Sequence, residues 1–456
     1  MNDRTEWFRQ AKLGMFIHWG PYSVAGVEAS WPIMVPRYVD LMGGPRIAED
    51  DYVGLASRFD PSEFDALRWV RTAKRAGMRY LVFTAKHHDG FCMFDAPGTE
   101  YKITRTAFAR DVVGELADAC RTEEVRFGLY YSPPDMHHPG YRDTSRPVAQ
   151  NWFGEPERRE WHEYLDYMEA HLRHLLTAYG RIDVLWFDGL FDQEKYDPPR
   201  FHRLAKGLQP DILVNDRLGD EYDFITPEQG IPDGVPVIAT HRRNQIDART
   251  FLRIIRILST PPIRRLVRRK LSKISDHPKP LTRFPAESFP AYDRFQPWET
   301  CMTMNKTWAY CPSDDRWKPT RVLLRILSRV VSRGGNLLLN VGPDSLGRFP
   351  VEAVRRLEAV GTWMDANGEA VYGTRYGRPV DSHTAVSSRT DDAIYVFVLE
   401  RPGDGIVHLD GLHFMPRRAE LVDTGEELPV LRSREVPALG VSEVVNDLLL
   451  PVVRLT

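Results

Sequence analysis

Cysteine is scarce in this chain of 456 residues, with four (Cys92, Cys120, Cys301, Cys311) and no Cys-x-x-Cys pair. That leaves neither a disulfide framework nor zinc-finger spacing, and free thiols in a reducing compartment are the expectation. Long apolar runs are also missing. No stretch approaches the roughly 18 apolar residues of a membrane span, so no membrane span is expected. The opening MNDRTEWFRQAK has no apolar core of signal-peptide length, which makes the cytoplasm the expected location. A phosphate-binding loop is absent as well. Gly334-Gly335-Asn336 comes before a strand-like run and lacks the lysine of a P-loop. Internal repeats and low-complexity tracts are not found. What is present is an ordinary globular composition, 42% hydrophobic and 27% charged, at a length that suggests two or three domains of about 150 residues.

A formal charge of −2 conceals an uneven distribution. Between His241 and Arg283 ten arginines and three lysines face only Asp247 and Asp276, a net +11, which leaves −13 for the rest of the chain. Within this segment Phe251, Leu252, Ile254, Ile255 and Leu258 are interleaved with Arg249, Arg253 and Arg256 at helical spacing. After Pro261-Pro262, a second apolar stripe runs through Ile263, Leu266, Val267, Leu271 and Ile274. The pattern predicts two amphipathic basic helices inserted at about 241–283. Such an insertion either packs its apolar stripe on the body of the protein and solvates its charges, or meets a membrane surface or an anionic polymer.

Through about residue 360, strand-like runs alternate with helical stretches. The strand-like runs are Leu13–Trp19, Arg79–Thr84, Val125–Tyr131, Ile182–Phe187, Ile212–Val214, Asp223–Thr226, a weak Trp298–Met302, and Asn336–Val341. Helical patterns cover Phe64–Ala76, Val112–Glu123, Glu157–Ala178, Pro199–Gly207, Thr320–Ser332 and Val351–Asn367. Repeated βα units imply a parallel sheet with outer helices. Eight strands fit a (β/α)8-like barrel over residues 1–370, with an imperfect unit near strands five and six; an open doubly wound sheet is the competitor. From 371 to 456, short alternating runs between Gly, Pro and Asp turns, such as Ala393–Leu399, predict a small antiparallel β-sandwich domain.

Polar residues recur where the predicted strands end: His18 and Trp19; His87, His88 and Asp89; Tyr130 and Tyr131; Trp186 and Asp188; Asn215, Asp216 and Arg217; and Glu228. In a barrel these ends converge on one face, where active sites form. Two carboxylates on different strands, with histidine and aromatic neighbours, suit glycoside hydrolysis by a nucleophile and a general acid/base. Trp19, Trp31 and Trp186 offer apolar faces for a sugar ring. Each residue also has a plain structural use: Asp188 as a helix cap, Trp186 as core, Glu228 as a solvated loop residue, His137-His138 as surface. A metal site built from His18, His87, His88 and Asp188 is the rival chemistry. However, strand one reads His-Trp-Gly where metal-dependent amidohydrolase barrels have His-x-His.

The ordered set AKLGMFIHWGPYSV, KHHDGF, RFGLYYS, VLWFDG, NDR, TPE, PWETC and GGNLLLNVGPDSLGRFP, closed by NGEAVYGT, resembles the α-L-fucosidases of glycoside hydrolase family 29 over residues 5–375. The resemblance implies a catalytic barrel, a C-terminal β-sandwich, and retaining hydrolysis of terminal α-L-fucosyl residues from glycosides or oligosaccharides, with no metal or other cofactor. By position, Asp188 in WFDG resembles the nucleophile and Glu228 the acid/base, with Glu299 and Asp216 in reserve. His18, His87, His88, Tyr131, Trp186 and Arg217 match sugar-contacting positions, and Trp31 follows the first strand. One departure stands out. Where family members have Glu-Trp this chain has Ser30-Trp31, with Glu28 two residues earlier, so the glycone is either met by a shifted Glu28 or recognised differently. An α-galactoside, or a silent carbohydrate-binding role on the same scaffold, are the alternatives. The basic insertion, lying between Glu228 and PWETC, is expected to shape the aglycone side or a homo-oligomer contact, and nucleic acid is not an expected partner.

Overall fold

The computed structural model describes residues 4–42, 44–189, 192–238, 248–271, 286–287, 294–410, 412–433, 436–441 and 448–456. Strands β1 (Leu13–Ile17), β2 (Tyr80–Lys86), β3 (Arg126–Tyr131), β4 (Val184–Phe187) and β5 (Leu213–Val214) follow one another through the first half of the chain. A two-residue antiparallel pair, β6 (Val235–Pro236) and β7 (Ala286–Glu287), then stands apart from β8 (Glu299–Thr303) and β9 (Asn336–Val341). The main sheet is wholly parallel, in the order β5-β4-β3-β2-β1-β9-β8. Its strands are buried along nearly their whole length, as expected where helices cover one face and the barrel interior fills the other.

The ring closes irregularly. The expected strand Asp223–Thr226 forms only isolated parallel bridges: Asn215 with Phe224 on one side, then Ile225 with Trp298 and Glu228 with Cys301 on the other. Two features prevent a regular strand. Pro227 has no N–H to donate, and the Thr226 N–H bonds the Asp216 carboxylate at 2.9 Å instead of a neighbouring strand. The imperfect unit read from the sequence is this one.

The outer helices follow their hydrophobic period. Ala66–Arg75 turns Trp69, Val70 and Ala73 inward and starts on Asp65, whose side chain accepts from the Arg68 N–H at 2.9 Å. Asp111 caps Val112–Thr122 in the same way through Gly114. Trp161–Ala178, Pro198–Leu208, Thr320–Ser332 and Val351–Asn367 match the sequence reading within a few residues. Four short helices after β1 (Tyr22–Ala25, Trp31–Met34, Pro36–Met42 and Glu49–Val53) were not visible in the periodicity, because none is long enough to show one. The basic insertion contains two helices, Ala248–Leu258 and Pro261–Leu271; its residues 241–247 and 272–283 lie outside the described set. Among the described residues no helix is long and apolar enough to cross a membrane.

Beyond residue 374 come β10 (Arg375–Asp381), β11 (Ala385–Arg389), β12 (Ile394–Val398), β13 (Ile406–His408), β14 (Ala419–Leu421), β15 (Val430–Ser433), β16 (Val436–Gly440) and β17 (Val452–Leu455). They form antiparallel sheets ordered β10-β11-β12-β17-β14 and β13-β16-β15. Val396, Val398, Val407, Leu421, Leu439 and Val453 fill the space between the two sheets, the layered packing of a sandwich. The other face of the larger sheet joins the barrel core through Val386, Phe397 and Val452. Trp363, on the last barrel helix, donates its indole N–H to the Leu450 carbonyl at 2.8 Å.

That last helix packs tightly on Ala66–Arg75 because Gly361 has no side chain. A Cβ there would overlap the Arg75 carbonyl oxygen, a backbone atom with little room to give. Gly361→Ala should therefore lower stability by about 1–3 kcal/mol, seen as a lower urea midpoint with an unchanged slope.

Candidate active site

Strand parity determines which side chains enter the barrel. On β3, Tyr130 joins Phe16, Val82, Val184 and Trp186 in the interior, while Phe127, Leu129 and Tyr131 face the helices. The pairing of Tyr130 with Trp186 keeps both inward, and their rings stack with centroids 5.7 Å apart. Asp188, one residue past β4, keeps the same parity and points into the mouth.

The resemblance assigned Tyr131 to sugar contact, and the structure corrects this. Its hydroxyl meets His171 Nδ1 at 3.1 Å on the helix side. Tyr130 is the site tyrosine, its hydroxyl donating to Asp188 Oδ2 at 2.8 Å. Trp19 is also absent from the mouth, being packed among Phe59, Phe64 and Trp69.

The Asn-Asp-Arg run arranges the opposite wall, one residue at a time. Asn215 extends the β4–β5 pairing with its amide, accepting from the Phe187 N–H at 2.8 Å and donating to the Phe187 carbonyl at 2.9 Å. Asp216 accepts from both the N–H and the hydroxyl of Thr226, strapping β5 to the segment that carries Glu228. Arg217 then lies buried between the two. Its Nη1 is 3.0 Å from Asp188 Oδ1 and 3.0 Å from Glu228 Oε2. Those two oxygens therefore lie no farther apart than twice that distance. The same guanidinium donates from Nε to Thr226 Oγ1 at 3.1 Å and sits 4.7 Å over the Trp186 ring.

Burial by itself would raise the Asp188 pKa. The Arg217 charge, His88 and the Tyr130 hydrogen bond outweigh it, so the carboxyl titrates below its usual range. Burial likewise works against the Arg217 charge, and Glu228 and Asp188 more than restore it. The side chain of Asp188 is 13% exposed and that of Glu228 33%, which places Glu228 nearer the opening.

Neither reserve carboxylate stands in this pair. Asp216 is the strap just described. Glu299 begins β8, at the far end of the barrel, where it accepts from the Trp186 indole at 3.0 Å and from the Tyr80 hydroxyl. Burial lifts its pKa to about 7 against those two hydrogen bonds. It supports Trp186 from beneath and has no access to the mouth.

Three histidines complete the rim. His18 Nδ1 lies 2.7 Å from Asn340 Oδ1, and the Asn340 amide is oriented by its donation to the Trp308 carbonyl. His18 therefore carries its proton on Nδ1 and leaves Nε2 as an acceptor. His88 Nδ1 is 2.6 Å from Ser132 Oγ, which itself donates to the Pro134 carbonyl. The tautomer that satisfies both bonds again bares Nε2, 3.6 Å from Asp188 Oδ2. His87 Nδ1 meets the buried Ser30 hydroxyl at 3.0 Å. Trp31 lies 6.4 Å from the His88 ring. Trp308, which the sequence reading missed, stands 5.0 Å from His18.

Glu28 does not take the place left by Ser30. Its two oxygens accept from the N–H groups of Trp308 and Ala309 at 2.8 and 3.1 Å, so it fixes the loop that carries Trp308. Burial raises its pKa to about 8. The His137-His138 loop is held from within: Asp135 accepts from both backbone N–H groups and pairs with buried Lys86 at 3.0 Å. Among the described residues no group of three or more His, Cys, Asp or Glu side chains is arranged to hold a metal.

Burial depresses the pKa of His18 and of His88 from 6.5 to about 4. Above pH 6.5 both are neutral whether the chain is folded or not. Below it the unfolded chain takes up protons that the folded protein refuses, so stability falls as the pH drops towards about 4. The loss should be on the order of 1 kcal/mol per pH unit for each histidine. Urea midpoints across that window should show it, with a flatter slope for the pair His18→Gln and His88→Gln.

With this geometry in view, comparison with known proteins is direct. A model of the α-L-fucosidase family matches residues 1–248 and 268–369. The α-L-fucosidase isoenzyme 1 structure from Paenibacillus thiaminolyticus is 30% identical, with a TM-score of 0.79 over 100% of this chain and 98% of that one. The plasma α-L-fucosidase of Homo sapiens is 27% identical over 96% of this chain and 83% of its own. The Thermotoga maritima α-fucosidase, solved in complex with fucose, is 25% identical with a TM-score of 0.73, covering 99% and 96%. The chain belongs to the α-L-fucosidase family.

Proposed function

We propose that the chain releases terminal α-L-fucosyl residues from glycosides or oligosaccharides with retention of configuration, Asp188 acting as nucleophile and Glu228 as general acid/base. The observation that carries this reading is the single buried Nη1 of Arg217, held 3.0 Å from a carboxylate oxygen of each. That bridge favours the short separation of a retaining pair, about 5–5.5 Å, over the wider gap that admits a water in inverting enzymes.

Asp188, kept ionised by Arg217 and Tyr130, attacks the anomeric carbon. Glu228, nearer the opening, gives its proton to the departing glycosidic oxygen. Forming the glycosyl ester removes the negative charge on Asp188, while Arg217 keeps its ion pair with Glu228. Glu228, having given up its proton in the first step, then accepts one from the incoming water as the ester is cleaved. The bared Nε2 atoms of His18 and His88 suit sugar hydroxyls as donors to them, and Trp31 and Trp308 provide apolar faces.

Asp188→Gly should abolish turnover of an aryl α-L-fucoside, with azide restoring part of it as a fucosyl azide; full activity in the variant would contradict the assignment. Glu228→Ala should slow hydrolysis of a natural fucosylated oligosaccharide by about 10²–10⁴-fold and that of an aryl fucoside with a good leaving group much less. Equal losses on both substrates would remove Glu228 from the acid role.

A further inference from the structure

The helices Ala248–Leu258 and Pro261–Leu271 follow one another in the basic insertion, and the first of them approaches the mouth. The Phe251 ring is 6.2 Å from Trp31, and the Ser259 hydroxyl donates to the Arg37 carbonyl at 3.3 Å. Ile255 is buried, and Phe251, Leu252, Leu258 and Val267 pack half-buried against the main core. The inner faces are thereby accounted for.

The outer faces are not polar, as a solvated helix pair would be. Ile254, Ile257, Ile263 and Leu266 are all exposed, Ile257 by 50% and Leu266 by 57%. These four fall within residues 254–266, whereas the other exposed large hydrophobics among the described residues, the adjacent Phe414 and Met415 apart, are scattered along the chain. Exposed Arg253, Arg256 and Arg265 stand among them. The whole stretch 248–271 contains seven arginines, one lysine and no acidic residue.

We propose that this helix pair docks on the surface of an anionic lipid bilayer, setting Ile254, Ile257, Ile263 and Leu266 at the headgroup boundary with the arginines on the phosphates. A bilayer of this kind meets both features at once, apolar side chains inserting shallowly while cations are drawn to a negative surface. A soluble polyanion would pair with the arginines and leave four large apolar side chains in water. A second copy of the same face would cover the apolar groups but bring two acid-free basic stretches together, at a repulsive cost. Through the Phe251–Trp31 contact, such docking turns the barrel mouth towards the membrane surface.

Co-sedimentation of the full chain with vesicles tests this, comparing phosphatidylcholine alone with a phosphatidylcholine–phosphatidylserine mixture. Binding is expected to the mixed vesicles only, to weaken about ten-fold or more on raising salt from about 0.05 to 0.5 M, and to be lost in Arg253→Glu with Arg256→Glu. Ile257→Ser with Leu266→Ser should also weaken it at least about ten-fold. Both variants should keep wild-type rates on an aryl α-L-fucoside, which reports that they fold. No binding to the mixed vesicles would overturn the proposal. So would vesicle binding that Ile257→Ser with Leu266→Ser leaves intact while heparin binds equally well, since the arginines alone would then suffice. A concentration-dependent dimer abolished by Leu266→Ser, without vesicle binding, would assign the face to a second copy instead.

Discussion

A buried cation organises this barrel mouth. Arg217 is almost wholly removed from solvent, and a guanidinium in that position is tolerated only if its donors find acceptors and its charge finds anions. Asp188 comes from the end of β4 and Glu228 from the irregular segment before β8, so satisfying Arg217 requires the two walls to approach each other. The support beneath is equally constrained. The guanidinium lies on Trp186, whose indole is bonded to Glu299, which Tyr80 also holds. A chain of contacts thus runs from the mouth to the floor of the barrel, and the carboxylate pair inherits its spacing from that chain rather than from a flexible loop.

The irregular sixth segment is part of the same device. Had residues 223–228 formed a regular strand, the Thr226 N–H would be committed to a neighbouring strand and Asp216 would lose one of its two bonds to Thr226. The broken ladder lets Asp216 strap the segment, Thr226 hold Arg217, and Glu228 project at the opening. Irregularity at a barrel rim commonly re-aims a side chain, and here it aims the more exposed carboxylate. Ser30 and Glu28 brace the site in the same way. The small hydroxyl engages His87 from below, and the nearby Glu28 secures the Trp308 loop.

Much of this was legible in the sequence. The βα alternation gave the parallel sheet, and the recurrence of polar residues at strand ends marked the rim on which Asp188, Arg217, Glu228, His18, His87 and His88 come together. Other features were not legible. Tyr130 and Tyr131 are adjacent and chemically identical, and only strand parity, carried across from Trp186 and Asp188, separates the inward residue from the outward one. Glu299 was a credible reserve acid because motif order does not say at which end of a strand a residue lies. Trp308 sits in a loop without periodicity and reaches the site through Glu28 and Asn340, contacts far apart in the chain. Amphipathic period revealed the basic helices, but not that apolar side chains would remain on their outer faces.

The central claim is that Asp188, held ionised by Arg217 and Tyr130, is the group that forms the covalent bond to the sugar. Incubating the protein with a 2-deoxy-2-fluoro-L-fucosyl fluoride, digesting it at acid pH and mapping the peptides by mass spectrometry tests this directly. A single fluorofucosyl adduct is expected on the peptide bearing Trp186-Phe187-Asp188, located at Asp188. An adduct on Glu228 or on any other residue would contradict it.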